Sequence, residues 1–216
     1  MSGTLNPDII NLIKSSFEEN CLSLLFDGFN QIENKKECRE LNENNITAQV
    51  VGRMKANPLR INLQISVSRE NYYDTDETAA GIIDADESAR IDIKYFTWNT
   101  NIEFEFYIEA KNLSENDWTK TSNKATVNAY KQQTRYIDTG IHNFITGRYP
   151  NGSLLGYIVE GEPDNIILKI NQILDKRNRK KENLKKEIKP GCDYFYTSLH
   201  QGHVLEKLNH YLLKFS

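Results

Sequence analysis

The sequence predicts an α/β fold in which a central mixed β-sheet is flanked by helices. Three observations predict it. Apolar residues recur at helical spacing over the first quarter of the chain, three consecutive segments then alternate apolar and polar, and a helix–strand–helix succession comes next, before two closing strands. Consecutive strands followed by a crossover helix and a further strand require a sheet with both parallel and antiparallel neighbours.

Residues 7–28 read as a helix: Ile9, Ile10, Leu12, Ile13, Phe17, Leu24 and Leu25 fall near one stripe, and Asn6 with Pro7 forms a start signal. A second helical region is expected over 33–56, with a fresh start at Asn42, a run to Met54 and a stop at Pro58. Residues 60–69 place Ile61, Leu63, Ile65 and Val67 on alternate positions, as a half-buried strand does, and the acidic stretch 70–88 reads as a loop. Segments 89–96 and 102–110 alternate again, joined across Asn99-Thr100-Asn101 as a hairpin. A long helix is expected over 122–147, opened by Ser122, then a buried strand at 153–160 and a helix from Asp164 to about Asn183. Pro190-Gly191 breaks the chain before β segments at 193–199 and 205–215.

One domain is expected over residues 1–216: an N-terminal helical region (1–41), a core (42–175), and a basic segment with closing β elements (176–216). With 38% apolar residues, 11 Tyr and 9 Phe, a packed core is expected rather than disorder. Without a run of about 18 apolar residues no membrane span is expected, and the N-terminus does not resemble a secretory signal. Cys21, Cys38 and Cys192 are odd in number and widely spaced, which points to reduced thiols and a cytoplasmic setting. A net charge of −3 argues against a protein whose whole role is to hold nucleic acid tightly. Yet residues 176–189 carry eight Lys or Arg and two Glu, against 19 basic and 28 acidic residues elsewhere. Such a patch suits transient contact with a polyanion, and a solvated helix end is the alternative reading.

Glu109 and Lys111 lie two apart at the end of an alternating strand, so their side chains share one face. Phe104, Phe106, Ile108 and Ala110 take the other, core-directed face. On the preceding strand Ile91 and Ile93 are expected to face the core and Asp92 to face away, which sets Asp92 beside Glu109 across an antiparallel pair. Two facing carboxylates repel unless a cation lies between them, and Mg²⁺ prefers hard oxygen ligands of this kind. The tripeptide acid-x-Lys also occurs at Glu33, Asp92 and Glu187, but only Glu109-x-Lys111 ends an apolar strand with an acid on the strand before it. The competing reading is a salt-bridge network on a solvated sheet face.

Asp92, sixteen residues, then Glu109-Ala110-Lys111 resembles the motif of the PD-(D/E)xK nuclease family, over roughly residues 42–160. The chain departs from it in lacking a Pro before Asp92. The resemblance implies a restriction endonuclease-like core and catalytic residues Asp92, Glu109 and Lys111. It also implies Mg²⁺ (Mn²⁺ substituting) bound by Asp92, Glu109 and the Ala110 carbonyl, with Lys111 at the attacking water. Members often carry a further Glu on the helix before the first core strand. Glu43 is the best-placed candidate and also suits a helix start, and Glu70 is the rival. The segment from Tyr136 to Tyr157 resembles the stretch beyond the core motif in nuclease-like proteins of bacterial defence systems. Gln132, Gln133 and Arg135 on the intervening helix are candidates for phosphate contact or plain surface residues. The expected function is therefore metal-dependent cleavage of DNA, with RNA open, in restriction or phage defence. The expected partners are nucleic acid and either a second copy or a defence complex, with no membrane. The alternative is a catalytically silent nuclease-fold module.

Other constellations are weaker. His200-x-x-His203 with Cys192 lacks a full zinc ligand set. His142 and His210 have no acid or nucleophile at a recognisable spacing. Asp74, Asp76, Asp84 and Asp86 lack the glycine and terminal Glu of a calcium loop, and no phosphate-binding P-loop sequence occurs.

Overall fold

The computed structural model describes residues 6–73, 89–99 and 102–215, together with Thr78, Ala80 and Ile82. The acidic cluster Asp74, Asp76, Asp84 and Asp86 and the hairpin tip Thr100-Asn101 lie outside the described residues. The fold is α/β. A seven-stranded mixed sheet is built from β1 (Ser66–Tyr73), β2 (Ala89–Asn99), β3 (Ile102–Ser114), β6 (Ser153–Glu160), β7 (Lys185–Lys189), β8 (Cys192–Leu199) and β9 (Lys207–Lys214). Their order across the sheet is β1-β2-β3-β6-β9-β8-β7. The pairs β3–β6 and β6–β9 are parallel and the others antiparallel. A separate two-stranded ribbon joins β4 (Trp118–Thr119) to β5 (Thr126–Val127).

Helices cover both faces. On one side, α1 (Pro7–Asn30) and α3 (Glu43–Ala56) pack Leu24, Leu25, Ile46, Val50 and Met54 onto Ile93, Tyr95, Phe106, Ile108 and Ala110. The short α2 (Lys35–Cys38) precedes α3, whose start at Asn42 is capped: the Asn42 side chain accepts from the Asn45 N–H at 2.8 Å. Gly28 lets α1 approach α3, since a Cβ there would lie 2.8 Å from Met54 Cγ. On the other side lie α5 (Ala129–Arg135), a π-helical turn (Tyr136–Ile141), α6 (His142–Ile145) and α7 (Pro163–Lys176). They enclose Tyr107, Leu113, Leu154, Ile158 and Leu212. Gly140 and Gly156 serve this second core: a Cβ at 140 would stand 3.0 Å from Leu154, and one at 156 would stand 2.5 Å from Leu212. The face carrying Glu109 and Lys111 is thus covered, not solvated.

Several segments differ from their sequence pattern. The alternation at 60–69 is taken up by a helical turn, α4 (Leu59–Asn62), and β1 starts only at Ser66; Ile61 is 68% exposed. Pro58 nucleates that turn, and Gln64, at φ 54°, ends it. The helix expected from Ser122 starts at Ala129. Thr121 and Ser122 instead donate backbone and hydroxyl hydrogens to the Glu40 carboxylate, which holds them in the ribbon turn. The helix expected to reach Asn183 ends at Lys176, beyond which Asn178 adopts φ 60°. Leu184 is then anchored by reciprocal bonds with Asn171. The basic segment continues as edge strand β7, and part of its charge is paired internally: Arg177 with Asp138, Arg179 with Glu182 and Lys186 with Asp164. Cys21, Cys38 and Cys192 are all free thiols. Among the described residues no helix is long and apolar enough to cross a membrane.

Candidate metal site where two strands part

The antiparallel ladder between β2 and β3 ends at Ile93↔Ile108. Beyond it β3 continues alone beside β6, through Glu109↔Leu154 to Asn112↔Tyr157. An edge abandoned in this way leaves buried backbone donors that must find acceptors. Two carboxylates supply them. Asp92 Oδ2 accepts from the Ala110 N–H at 2.7 Å, and Glu43 Oε2 accepts from the Asn112 N–H at 2.9 Å. The parting of the strands therefore places Asp92, from the start of β2, and Glu43, from the first turn of α3, against the same stretch of β3.

The departure also corrects the expected facing of β2. Ile93 enters the first core, but Ile91 enters the second. Asp92 lies between them, opposite Glu70, which the flanking pairs Arg69↔Ile93 and Asn71↔Ile91 bracket. Glu70 adopts φ 52°, a left-handed conformation unusual for a residue with a Cβ, so the strand pair is irregular at this position. Glu70 pairs with Arg69 at 3.5 Å, whereas Glu43 lies within 3.5 Å of Lys111, which makes Glu43 the carboxylate that joins the Asp92 group.

Lys111 is the centre of the group. Its Nζ lies 2.5 Å from Glu109 Oε1, 2.8 Å from the Ala110 carbonyl oxygen, 3.5 Å from Glu43 Oε1 and 4.0 Å from Asp92 Oδ2. Glu109 and Lys111 are 6% and 4% exposed. All four residues singled out in the sequence are thus brought together, with the Ala110 carbonyl among them. Tyr149 joins them: its hydroxyl lies 2.9 Å from both the Arg90 carbonyl and Glu109 Oε2, and it donates to one or the other. No local pattern marks Tyr149, forty residues downstream of Glu109. It arrives because the loop after α6 turns back under β3.

The charges do not balance. Three carboxylates surround one ammonium. Burial, then the Glu109 charge, pushes the Asp92 carboxyl up to about 7, against the opposing pull of Lys111 and the Ala110 N–H. Burial alone would lower the Lys111 pKa, but Glu109, Glu43 and Asp92 outweigh it and the ammonium is held more firmly than in water. Among the described residues no three His, Cys, Asp or Glu side chains are placed to hold a metal ion as they stand. The Asp92, Glu109 and Glu43 oxygens are disposed around Lys111 Nζ, which occupies their centre. The donor set nevertheless fits a hard divalent cation: carboxylates of Asp92 and Glu109 and a backbone carbonyl, with a residual charge of about −2 when all three acids are ionised.

The remaining candidates lie elsewhere. The Gln132 side-chain oxygen accepts from the Ser114 hydroxyl at 2.7 Å, the buried Gln133 amide donates to the Ser114 carbonyl at 2.9 Å, and Arg135 is exposed. Lys94 pairs with Glu105, and Glu187 accepts from Thr197 at 2.5 Å, so those acid-x-Lys tripeptides are structural. His200 and His210 belong to a buried chain that sequence spacing did not reveal. The Tyr136 hydroxyl meets His210 Nδ1 at 2.9 Å, and His210 Nε2 meets Ser198 Oγ at 2.7 Å. Ser198 Oγ then meets His200 Nε2 at 2.6 Å, and His200 Nδ1 meets Glu182 at 2.6 Å. The acid–His–Ser order resembles a hydrolase triad, but Ser198 is 1% exposed and a second imidazole stands where a carbonyl would have to enter.

No family model, no curated protein and no solved structure matches this chain.

Proposed function

We propose that the chain is a Mg²⁺-dependent phosphodiesterase with a restriction endonuclease-like core that cleaves DNA in a prokaryotic restriction or phage-defence setting. One observation carries this reading: Asp92, Glu109, Glu43 and the Ala110 carbonyl converge on Lys111, and once all three acids are ionised their excess charge is about −2. A buried excess of this size is costly without a counter-cation, and a divalent ion matches it in sign, size and ligand type.

Asp92, Glu109 and the Ala110 carbonyl would hold the ion, and Mn²⁺ would serve in place of Mg²⁺. When bound, the ion supplies Lewis-acid stabilisation of the phosphoryl oxygens and a water of lowered pKa. Asp92 would hold the ion only as a carboxylate, and burial with the nearby Glu109 charge keeps its carboxyl protonated up to about pH 7. Lys111, displaced from the carboxylates, orients the attacking water and offsets charge on the phosphorane-like transition state. Glu43 braces β3 through the Asn112 N–H and faces the ammonium, and Tyr149 orients Glu109.

The test is a cleavage panel with Mg²⁺ and Mn²⁺ over linear, circular and single-stranded DNA and RNA, repeated with Glu109→Ala and Lys111→Ala. Loss of about a hundred- to a thousand-fold in rate is expected for each. Full activity in either variant would sink the proposal. A catalytically silent partner subunit is the second reading, favoured by the position of Lys111 Nζ at the centre of the oxygen set. A calorimetric titration that finds neither Mg²⁺ nor Mn²⁺ bound to the wild type, with no cleavage of any substrate, would select it.

A further inference from the structure

Beside the carboxylate group lies a cleft of about 380 Å³, bounded by the start of α3, the end of β3, the β4–β5 ribbon and α5. Glu43 and Asn112 line both the cleft and the group around Lys111, so the two spaces adjoin. Three cations face it: Arg39, Lys120 and Arg135. Its one carboxylate is Glu43, already engaged by the Asn112 N–H and directed at Lys111. Among the described residues Lys120 donates to the carbonyls of Glu40 and Leu41, at 2.7 and 3.3 Å, and to no carboxylate. Among the described residues neither Arg39 nor Arg135 has an ion-pair partner. This concentration of unpaired positive charge stands out on a chain of net charge −3.

Arg39 is the informative member. Its guanidinium carbon lies over the Trp118 ring, 4.7 Å from the centroid, a cation–π contact that uses none of its N–H donors. Arg39 Nε and Trp118 Nε1 are both buried without a hydrogen-bond partner, and so is Asn112 Oδ1. The two buried donors, Arg39 Nε and Trp118 Nε1, are desolvated without compensation until an acceptor arrives. A guanidinium held over an indole and lacking an ion-pair partner is suited to bidentate recognition of phosphate.

We propose that this cleft binds a backbone phosphate of a nucleic-acid strand, adjacent to the phosphodiester held at Lys111, through Arg39 and Arg135 with Trp118 as the platform that orients Arg39. The proposal rests on the nuclease reading for its substrate. It is tested by binding rather than by turnover.

The measurement is titration of a short single-stranded oligodeoxynucleotide in EDTA, followed by anisotropy and by tryptophan emission in a Trp98→Phe background. Trp98, 66% exposed on β2, is the other tryptophan, so emission then reports on Trp118 alone. Oligonucleotide should change Trp118 emission. Arg39→Ala and Arg135→Ala should each weaken binding about ten-fold and lower the salt slope by about one. Arg39→Lys should not restore affinity, because an ammonium lacks the planar fork. Arg135 is exposed, so its variant separates lost binding from lost folding. Unchanged affinity and salt slope in both alanine variants, or an unresponsive Trp118, would overturn the proposal. So would inorganic phosphate producing the full emission change at the same concentration as the oligonucleotide. Cleavage by the wild type with tight binding retained in both variants removes the cleft and keeps the nuclease. Arginine-dependent binding without cleavage in Mg²⁺ or Mn²⁺ removes the nuclease and keeps the cleft.

Discussion

The carboxylate group between β2 and β3 and the histidine chain between β8 and β9 are both buried and both hydrogen-bonded, but they are balanced differently. In the histidine chain every donor has an acceptor. Glu182, held ionised against burial by Arg179 and His200, accepts from His200 Nδ1–H. With both imidazoles neutral, one assignment satisfies the chain: Tyr136 donates to His210, His210 to Ser198, and Ser198 to His200. A proton added to His200 would turn two N–H groups on Ser198 and leave its hydroxyl hydrogen without an acceptor. Burial accordingly holds His210 down to about 3, with His200 adding to the effect, and lowers His200. At the carboxylate group, by contrast, three acids share one cation and burial drives Asp92 up to about 7. A satisfied polar network specifies packing, whereas an unsatisfied one is poised for a ligand.

Their pH dependences are opposite in sign. Between the ordinary value of 6.5 and about 3, the unfolded chain binds a proton at His210 that the folded chain does not, so this contribution is intact above 6.5 and is lost as pH falls. Between 3.8 and about 7, folded Asp92 keeps a proton that the unfolded chain has released, so its contribution declines as pH rises and the full penalty is present above 7.

The largest effect expected is from Lys111→Met, which strips the carboxylates of their cation; denaturant titration at about pH 8 without metal should show a loss of about 3–5 kcal/mol. A loss below about 1 kcal/mol would mean that the acids are not competing for the ammonium. Ser198→Ala leaves two ring nitrogens unpaired and should cost about 3 kcal/mol, while the proposed nuclease activity of the folded protein should be unaffected. Retained stability there would show that the chain is not continuous. Mg²⁺ at about a hundred times its Kd should stabilise the wild type by about 2.7 kcal/mol, and Asp92→Asn should remove most of that gain. Equal gains in both proteins would place any bound ion elsewhere. The smallest effect is that of Asp92→Asn itself, which in EDTA should stabilise the fold by about 1–2 kcal/mol at about pH 8 and flatten the stability slope between about pH 4 and 7. A loss of stability at that pH would contradict the unbalanced charge.

The features legible in the sequence are those set by period and local chemistry. The α3 start at Asn42 and the apolar run that becomes β6 depend on neighbours a few residues apart. The segment 60–69 misled because a helical turn and a strand start can both carry alternating apolar residues, and Gln64 ends the turn in a conformation its type does not announce. Ser122 looked like a helix cap, but the Glu40 carboxylate, over eighty residues away, claimed it. The histidine chain was illegible for the same reason: Tyr136, Glu182, Ser198 and His210 meet only when α7 and the β8–β9 pair close on each other.

Sequence by itself determined an α/β chain with a mixed sheet, helices on its flanks, and an acid-x-Lys pair on an apolar strand, which does not end at that pair as expected but runs on to Ser114. Tertiary structure alone decided that β2 leaves β3 beyond Ile93↔Ile108, and with that departure the rest of the site. Freed backbone N–H groups at Ala110 and Asn112 had to be paired, Asp92 and Glu43 paired them, and Lys111 was left as one cation among the buried Glu109 and the half-buried Asp92 and Glu43. The physical reason is that side-chain identity is local, but whether a buried donor or charge is compensated depends on every element packed around it.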